Sequence, residues 1–257
     1  MKAFEFLGTT LIASLCALTA IARADAPLGT LVYHFSYSAN QNITARDSAN
    51  PAQGYGAPDS STMGNAPSSN QTGISHYAGS LNDKGTMTVE IVKKQPDGGL
   101  VVLISEQGEN IRRAPPAECV VYGNTNVICD PNKTVYTEEY TLLRFLAGNF
   151  VDPSQLDASK HWKIVQDVNN DHVSADYTID SNNNGAMQIG ETRTIKETGA
   201  GHLETDVQTK IGYDYTRLVP TSIDEYAQQY SDAGIKGSQR TIYQTTLQLL
   251  TDTTAKT

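Results

Sequence analysis

In the stretch "HLETDVQTKIGYDY", Leu203, Val207, Ile211, Tyr213 and Tyr215 fall on one parity and Glu204, Asp206, Gln208 and Lys210 on the other. A period of two is the mark of a strand with one face buried and one in water, and it excludes a helix for this segment. The pattern recurs along the chain. Leu31, Tyr33, Phe35 and Tyr37 oppose His34, Ser36 and Ser38. Met87, Val89 and Ile91 precede a "PDGG" turn that leads into Leu100, Val102 and Ile104, which reads as a hairpin. "HWKIVQD", "VSADYTID" and "AMQIGETRTIKE" continue the series, and "SQRTIYQTTLQLLTD" closes it with Tyr243, Thr245, Leu247 and Leu249 on one side. Short connections between such strands require antiparallel neighbours.

One segment departs from this pattern clearly. "TEEYTLLRFLAGNF" offers Thr137 as a cap, Glu138 and Glu139 for the first turn, Leu142, Leu143 and Leu146 at helical spacing, and Gly148 as a stop. A helix over Glu138–Ala147 is expected. Residues 220–234, "PTSIDEYAQQYSDAG", fit either state: Ser222 and Glu225 match a capping box and Ile223, Tyr226 and Tyr230 have helical spacing, yet a strand is equally compatible. The fold class is therefore mainly β (α+β): a single curved antiparallel sheet or open barrel of about 9–10 strands with one internal helix.

Two cysteines of the three bear on compartment. In "ECVVYGNTNVICD", a Gly123-Asn124-Thr125 loop pairs Tyr122 with Asn126, Val121 with Val127, Val120 with Ile128 and Cys119 with Cys129, placing both sulfurs on one face. A Cys119–Cys129 disulfide is expected, and disulfides persist in oxidising compartments. The N-terminus agrees. Lys2 precedes an apolar run from Leu7 to Leu18, and Ala22 and Ala24 occupy the positions signal peptidase requires, with cleavage before Asp25. Residues 1–24 thus read as a signal peptide and the mature chain as secreted or periplasmic; Leu15 before Cys16 argues against a lipoprotein signal. Removal of Lys2, Arg23 and Glu5 takes away two positive charges and one negative, so the formal charge of −9 becomes −10. That balance, with no basic cluster, excludes nucleic acid as a partner, and no membrane span is expected after processing. Residues 25–257 form one antiparallel β domain, in which residues 46–73, rich in Ser, Asn, Gly, Pro and Gln, read as a mobile loop.

"DSNNNGAMQIGE" matches the EF-hand loop pattern, with Asp180, Asn182, Asn184 and Glu191 as calcium ligands. Only Asp180 and Glu191 carry charge, and alternation upstream through Ala175, Tyr177 and Ile179 makes the flank a strand. The stretch is therefore read as a hairpin with an Asn183-Asn184-Gly185 loop pairing Ile179 with Ile189, and no metal is expected. No cofactor or catalytic residue is assigned. "GISHYAG" has Tyr77 where a nucleophile elbow needs glycine and is read as a loop. The five histidines (His34, His76, His161, His172, His202) lie in different segments with no zinc spacing, the acid pairs Glu138/Glu139 and Asp224/Glu225 read as solvated, and Trp162 and most tyrosines read as packing.

The order hairpin, short helix, long meander over roughly Cys119–Tyr215 resembles the bacterial lipoprotein-carrier (LolA/LppX-like) half-barrels, and the whole chain resembles a secreted bacterial β-sheet protein. The resemblance implies a curved sheet around an apolar cavity plugged by a helix. Independently, one short helix covers only part of the apolar sheet face, so if the sheet stays open Glu138–Ala147 is expected to be a lid over a groove, with Leu142, Leu143 and Leu146 as its apolar side. The expected function is an exported non-enzymatic binding or carrier module whose partner is a hydrophobic small molecule or lipid. The alternatives are a hydrolase using dispersed acids or histidines and a purely structural envelope or surface protein.

Overall fold

A computed structural model describes residues 28–46, 74–110, 112–122, 126–146, 160–168, 171–197, 202–232 and 237–254. Eleven strands and one helix follow in the order β1 (Gly29–Arg46), β2 (Ile74–Lys94), β3 (Leu100–Gly108), β4 (Arg113–Val121), β5 (Val127–Cys129), α1 (Thr137–Arg144), β6 (His161–Val168), β7 (Asp171–Asn183), β8 (Ala186–Glu197), β9 (His202–Asp214), β10 (Val219–Asp232) and β11 (Gly237–Asp252). All eleven strands form one open antiparallel sheet in the order β5-β4-β3-β2-β1-β11-β10-β9-β8-β7-β6, not closed into a barrel. The chain meanders from β1 outward to β5, passes through α1 to the opposite edge, and meanders back from β6 until β11 pairs with β1. The expected signal segment 1–24 and residues 47–73 lie outside the described residues.

Alternation places the core. Tyr33, Phe35, Met87, Val89, Val102, Ile104, Ile189, Ile211, Ile223 and Leu247 are buried on one face, and Leu142, Leu143, Phe145 and Leu146 from α1 and the turn after it are fully buried against them. Trp162 joins the core, stacked on Tyr177 at 5.1 Å between ring centroids. The strand count exceeds the expectation because residues 220–234 resolve largely as β10; Ile74–Gly79, read as loop, instead lengthens β2 at its start. Thr137 is the first helical residue and not the cap; the cap is Tyr136, whose backbone N–H donates to Glu139 Oε2 at 2.7 Å. In β4, Pro115 and Pro116 fall where the register with β3 shifts, the position in a sheet that tolerates a missing N–H.

The PDGG hairpin forms as β2–β3, and the two hairpins for which the sequence specifies cross-strand pairs form those pairs. Cys119 pairs with Cys129, Val120 with Ile128 and Val121 with Val127, and the Cys119–Cys129 disulfide spans a Cα–Cα distance of 4.0 Å. Ile179 pairs with Ile189, but the loop is one residue tighter than expected. Asn183 pairs with Ala186 across a two-residue turn, Asn184 (φ 52°) and Gly185 (φ 90°), and a bulge at Asp180 restores the register. Two consecutive left-handed residues match the twist of the flanking strands, and Asn-Gly is the pair that adopts them at least cost.

Candidate functional site

The strand registers sort the concave face into rows that cross the sheet. One row is apolar: Ile179, Ile189, Ile211, Ile223, Leu247 and Phe35, continued by Gly85 and Gly108. Two residues further along each strand, the next row runs Trp162, Tyr177, Glu191, Thr209, Glu225, Thr245, Tyr37 and Asp83. Five of its eight places are Glu, Thr or Asp, Tyr177 adds a hydroxyl that donates to Glu191, and all eight residues are buried. The third row returns to small and aliphatic residues except at Arg193 and Tyr243: Ile164, Ala175, Arg193, Val207, Ala227, Tyr243, Ala39 and Leu81.

Helix α1 meets the polar row through Arg144. Its Nη1 donates to Glu191 Oε1 at 2.9 Å and its Nη2 to Glu225 Oε2 at 2.8 Å. Thr141 donates to Glu225 at 2.9 Å, Tyr177 to Glu191 Oε1 at 3.0 Å and Thr209 to Glu191 Oε2 at 2.6 Å. Buried charges survive only when paired and hydrogen-bonded, and these are. Burial would raise Glu191, but the Arg144 and Arg193 guanidinium groups and the Thr209 hydroxyl hold it down to about 2. Burial would likewise depress Arg144, yet Glu191 and Glu225 carry it above its ordinary value.

Beyond this row the concavity opens into a cleft of about 490 Å³ between α1 and the β7–β11 half of the sheet. Val127, Val173, Ile195, Val207 and Ala227 line it, with Tyr243, Tyr140, Thr141, Arg144, Arg193 and Glu225 among its polar and aromatic wall. The expected lid residues Leu142, Leu143 and Leu146 belong to the core cluster and do not line the cleft, to which the helix presents Thr137, Tyr140, Thr141 and Arg144.

A second buried charged group lies where α1 meets β3. Glu106, Glu138 and Glu139 are 3 %, 0 % and 0 % exposed, so the expectation of a solvated acid pair at Glu138/Glu139 is corrected; Glu225 is buried too. Arg112 Nε is 3.4 Å from Glu138 Oε1, and its guanidinium sits between the rings of Tyr37 and Tyr136, 4.3 Å from each centroid. The loop carrying Arg112 is tied to Asp83, which accepts from the Arg112 and Asn110 backbone N–H groups at 2.6 and 3.1 Å. Gly108 permits this, since a Cβ there would collide with the Asp83 carboxylate.

The four EF-hand positions do not converge. Asp180 is exposed at its bulge, Asn182 Oδ1 accepts from the Gly185 N–H at 3.2 Å, Asn184 forms the turn, and Glu191 is buried in the polar row. Among the described residues no group of three His, Cys, Asp or Glu is placed to hold a metal ion. His34, His161 and His172 are exposed on separate strands; His172 Nδ1 lies 2.8 Å from Asp167. The His76 and His202 side chains lie outside the described residues. No described helix is long and apolar enough to cross a membrane.

Sequence reasoning missed Arg144, Arg193, Thr209 and Glu225 as a group. A signal existed for two of them. The parity of Met187, Ile189 and Ile195 assigns Glu191 and Arg193 to the buried face, and Arg144 interrupts the apolar run "LLRFL". No known protein-family profile matches the chain, and no curated protein matches it in sequence.

Proposed function

We propose that the protein is an exported, non-enzymatic binding or carrier module for an apolar, lipid-like ligand held in the cleft beside α1. The observation that carries this reading is the uneven filling of the concave face. The leucines of α1 fill part of that face, while beside the helix about 490 Å³ stays open, with Val127, Val173, Ile195, Val207 and Ala227 as its apolar part among polar neighbours such as Thr141, Gln166, Thr205 and Gln229, inside the range of roughly 300–1,000 Å³ occupied by small-molecule sites. Export is supported by Lys2, the Leu7–Leu18 run and the Ala22/Ala24 pair, and the Cys119–Cys129 disulfide suits an oxidising compartment. Burial of an alkyl chain contributes about 0.8 kcal/mol per methylene. The hydrolase alternative needs a carboxyl at the cleft poised to exchange protons, whereas Glu225 is engaged there by Arg144 and Thr141 and the adjoining Glu191 is held ionised down to about 2; the acids that burial holds up, Glu106 and Glu139, do not line the cleft.

Displacement of a neutral fluorescent alkyl probe from delipidated protein tests the reading. Micromolar binding is expected, weakened on the order of tenfold by Ala227→Phe, which fills the cleft between Val207 and Tyr243. Absence of probe binding, or binding indifferent to Ala227→Phe, would leave the purely structural role in its place.

A further inference from the structure

Arg193 is an unusual residue to find on an apolar wall. Its cross-strand neighbours on β7 and β9 are Ala175 and Val207. Its Nε lies 3.9 Å from Glu191 Oε1, beyond hydrogen-bond length, with the side chain 14 % exposed. Glu191 already accepts from Arg144, Tyr177 and Thr209, and Glu225 from Thr141 and Arg144. The buried Nε of Arg193 therefore has no hydrogen-bond partner among the described residues, and the side chain lines the cleft. The nearby charges balance, but the hydrogen bonds do not. A guanidinium offers five donors in a planar fork that matches a carboxylate or phosphate, and burying such donors unsatisfied is costly. Asp171, the other carboxylate that lines the cleft, stands four residues from Ala175 on β7, roughly 13 Å along the strand, too far to serve Arg193.

We infer that the cleft takes an amphiphile whose anionic head, a carboxylate or a phosphate monoester, docks on the Arg193 guanidinium while its alkyl chain lies along Val207, Ala227 and Ile195. This rests on the cleft being an apolar-ligand site. The formal charge of the chain is −9, so the long-range field opposes an anion and selectivity has to come from the direct fork contact.

Binding to the delipidated full chain is measured near neutral pH for three alkyl compounds of one chain length: the carboxylate, the phosphate monoester and the primary alcohol. At least one anion is expected to bind on the order of tenfold more tightly than the alcohol, and the preferred head distinguishes the two sources. Arg193→Met, which keeps the apolar stem, should bring that anion down to the affinity of the alcohol and leave the alcohol within about twofold of its original value. Arg193→Lys keeps the charge without the fork, and should retain the alcohol and lose part of the preference. Equal binding of all three compounds to the unaltered protein overturns the headgroup inference while the cleft reading stands. An anion preference undiminished in either variant overturns it as well, and failure of all three to bind removes the cleft reading itself.

Discussion

Glu106, Glu138 and Glu139 place three carboxyls beside one guanidinium, and protonation follows from that imbalance. Burial, then the Glu138 and Glu139 charges, push Glu106 up to about 9; burial pushes Glu139 up to about 7 and raises Glu138 in the same direction, with Arg112 and the Tyr136 N–H opposing. Each acid keeps a proton in the folded chain that the unfolded chain releases near 4.5. Between that value and the raised one the unfolded state binds fewer protons, so stability falls as pH rises. Glu191 acts oppositely: held down to about 2, it contributes fully above 4.5 and loses that contribution as pH falls toward 2. Maximum stability is therefore expected near about pH 5, with a loss on the order of 1–3 kcal/mol by about pH 9. Urea unfolding across this range measures it. Glu106→Gln should flatten the alkaline limb, and a protein that gains stability from about pH 5 to about pH 8 would contradict the assignment. None of this was legible from the sequence, because adjacent glutamates at the start of a helix fit the helix dipole equally well in water. Only the closure of β3 over the first turn of α1 makes them interior residues.

At the scale of elements, the β4–β5 hairpin is the short edge from which the chain departs into α1, and β5 has only three residues. So short a strand holds its place chiefly through the Cys119–Cys129 bond, whose partners are 10 residues apart, worth on the order of 3 kcal/mol in the chain-entropy treatment. The double variant Cys119→Ser/Cys129→Ser is expected to melt roughly 5–10 °C lower, read by circular dichroism. An unchanged melting temperature would show the hairpin to be held by packing alone. This hairpin and that of β7–β8 were legible because turn residues and cysteine spacing fix register locally. β10 was not, and Glu225 and Tyr226 are the reason. Glu225 is buried against Arg144 while Tyr226 is 38 % exposed, so the polar residue points in and the aromatic one out. A strand that contributes a buried ion pair loses the alternation by which a strand is recognised. The same inversion at Glu191 and Arg193 hid the cleft inside an otherwise readable sheet.

For the whole molecule, the sheet order sets the hierarchy of stability. The first and last strands lie side by side at the centre, and β1 pairs with β2 from Gly29–Ile91 to Arg46–Ile74 and with β11 from Leu31–Asp252 to Ala45–Gly237. The sheet cannot be completed until the two ends of the chain meet, which gives the fold many long-range contacts and slow folding. Once formed, that seam has paired strands on both sides, whereas β5 and β6 each leave one edge unpaired among the described residues. Edge strands open locally at low cost, and central strands exchange their amide protons only when the whole domain opens. The cleft lies between these regimes, with its floor on β8, β9 and β10 and its wall on α1, which is connected on both sides to edge strands. Of its two sides, only the helix is joined to strands of the less protected kind. Native-state hydrogen exchange should find the slowest amides in β1, β10 and β11, intermediate protection in α1, and the fastest strand amides in β5 and β6. Protection in β6 equal to that in β11 would show that the free edge is covered and that the sheet opens as one cooperative unit.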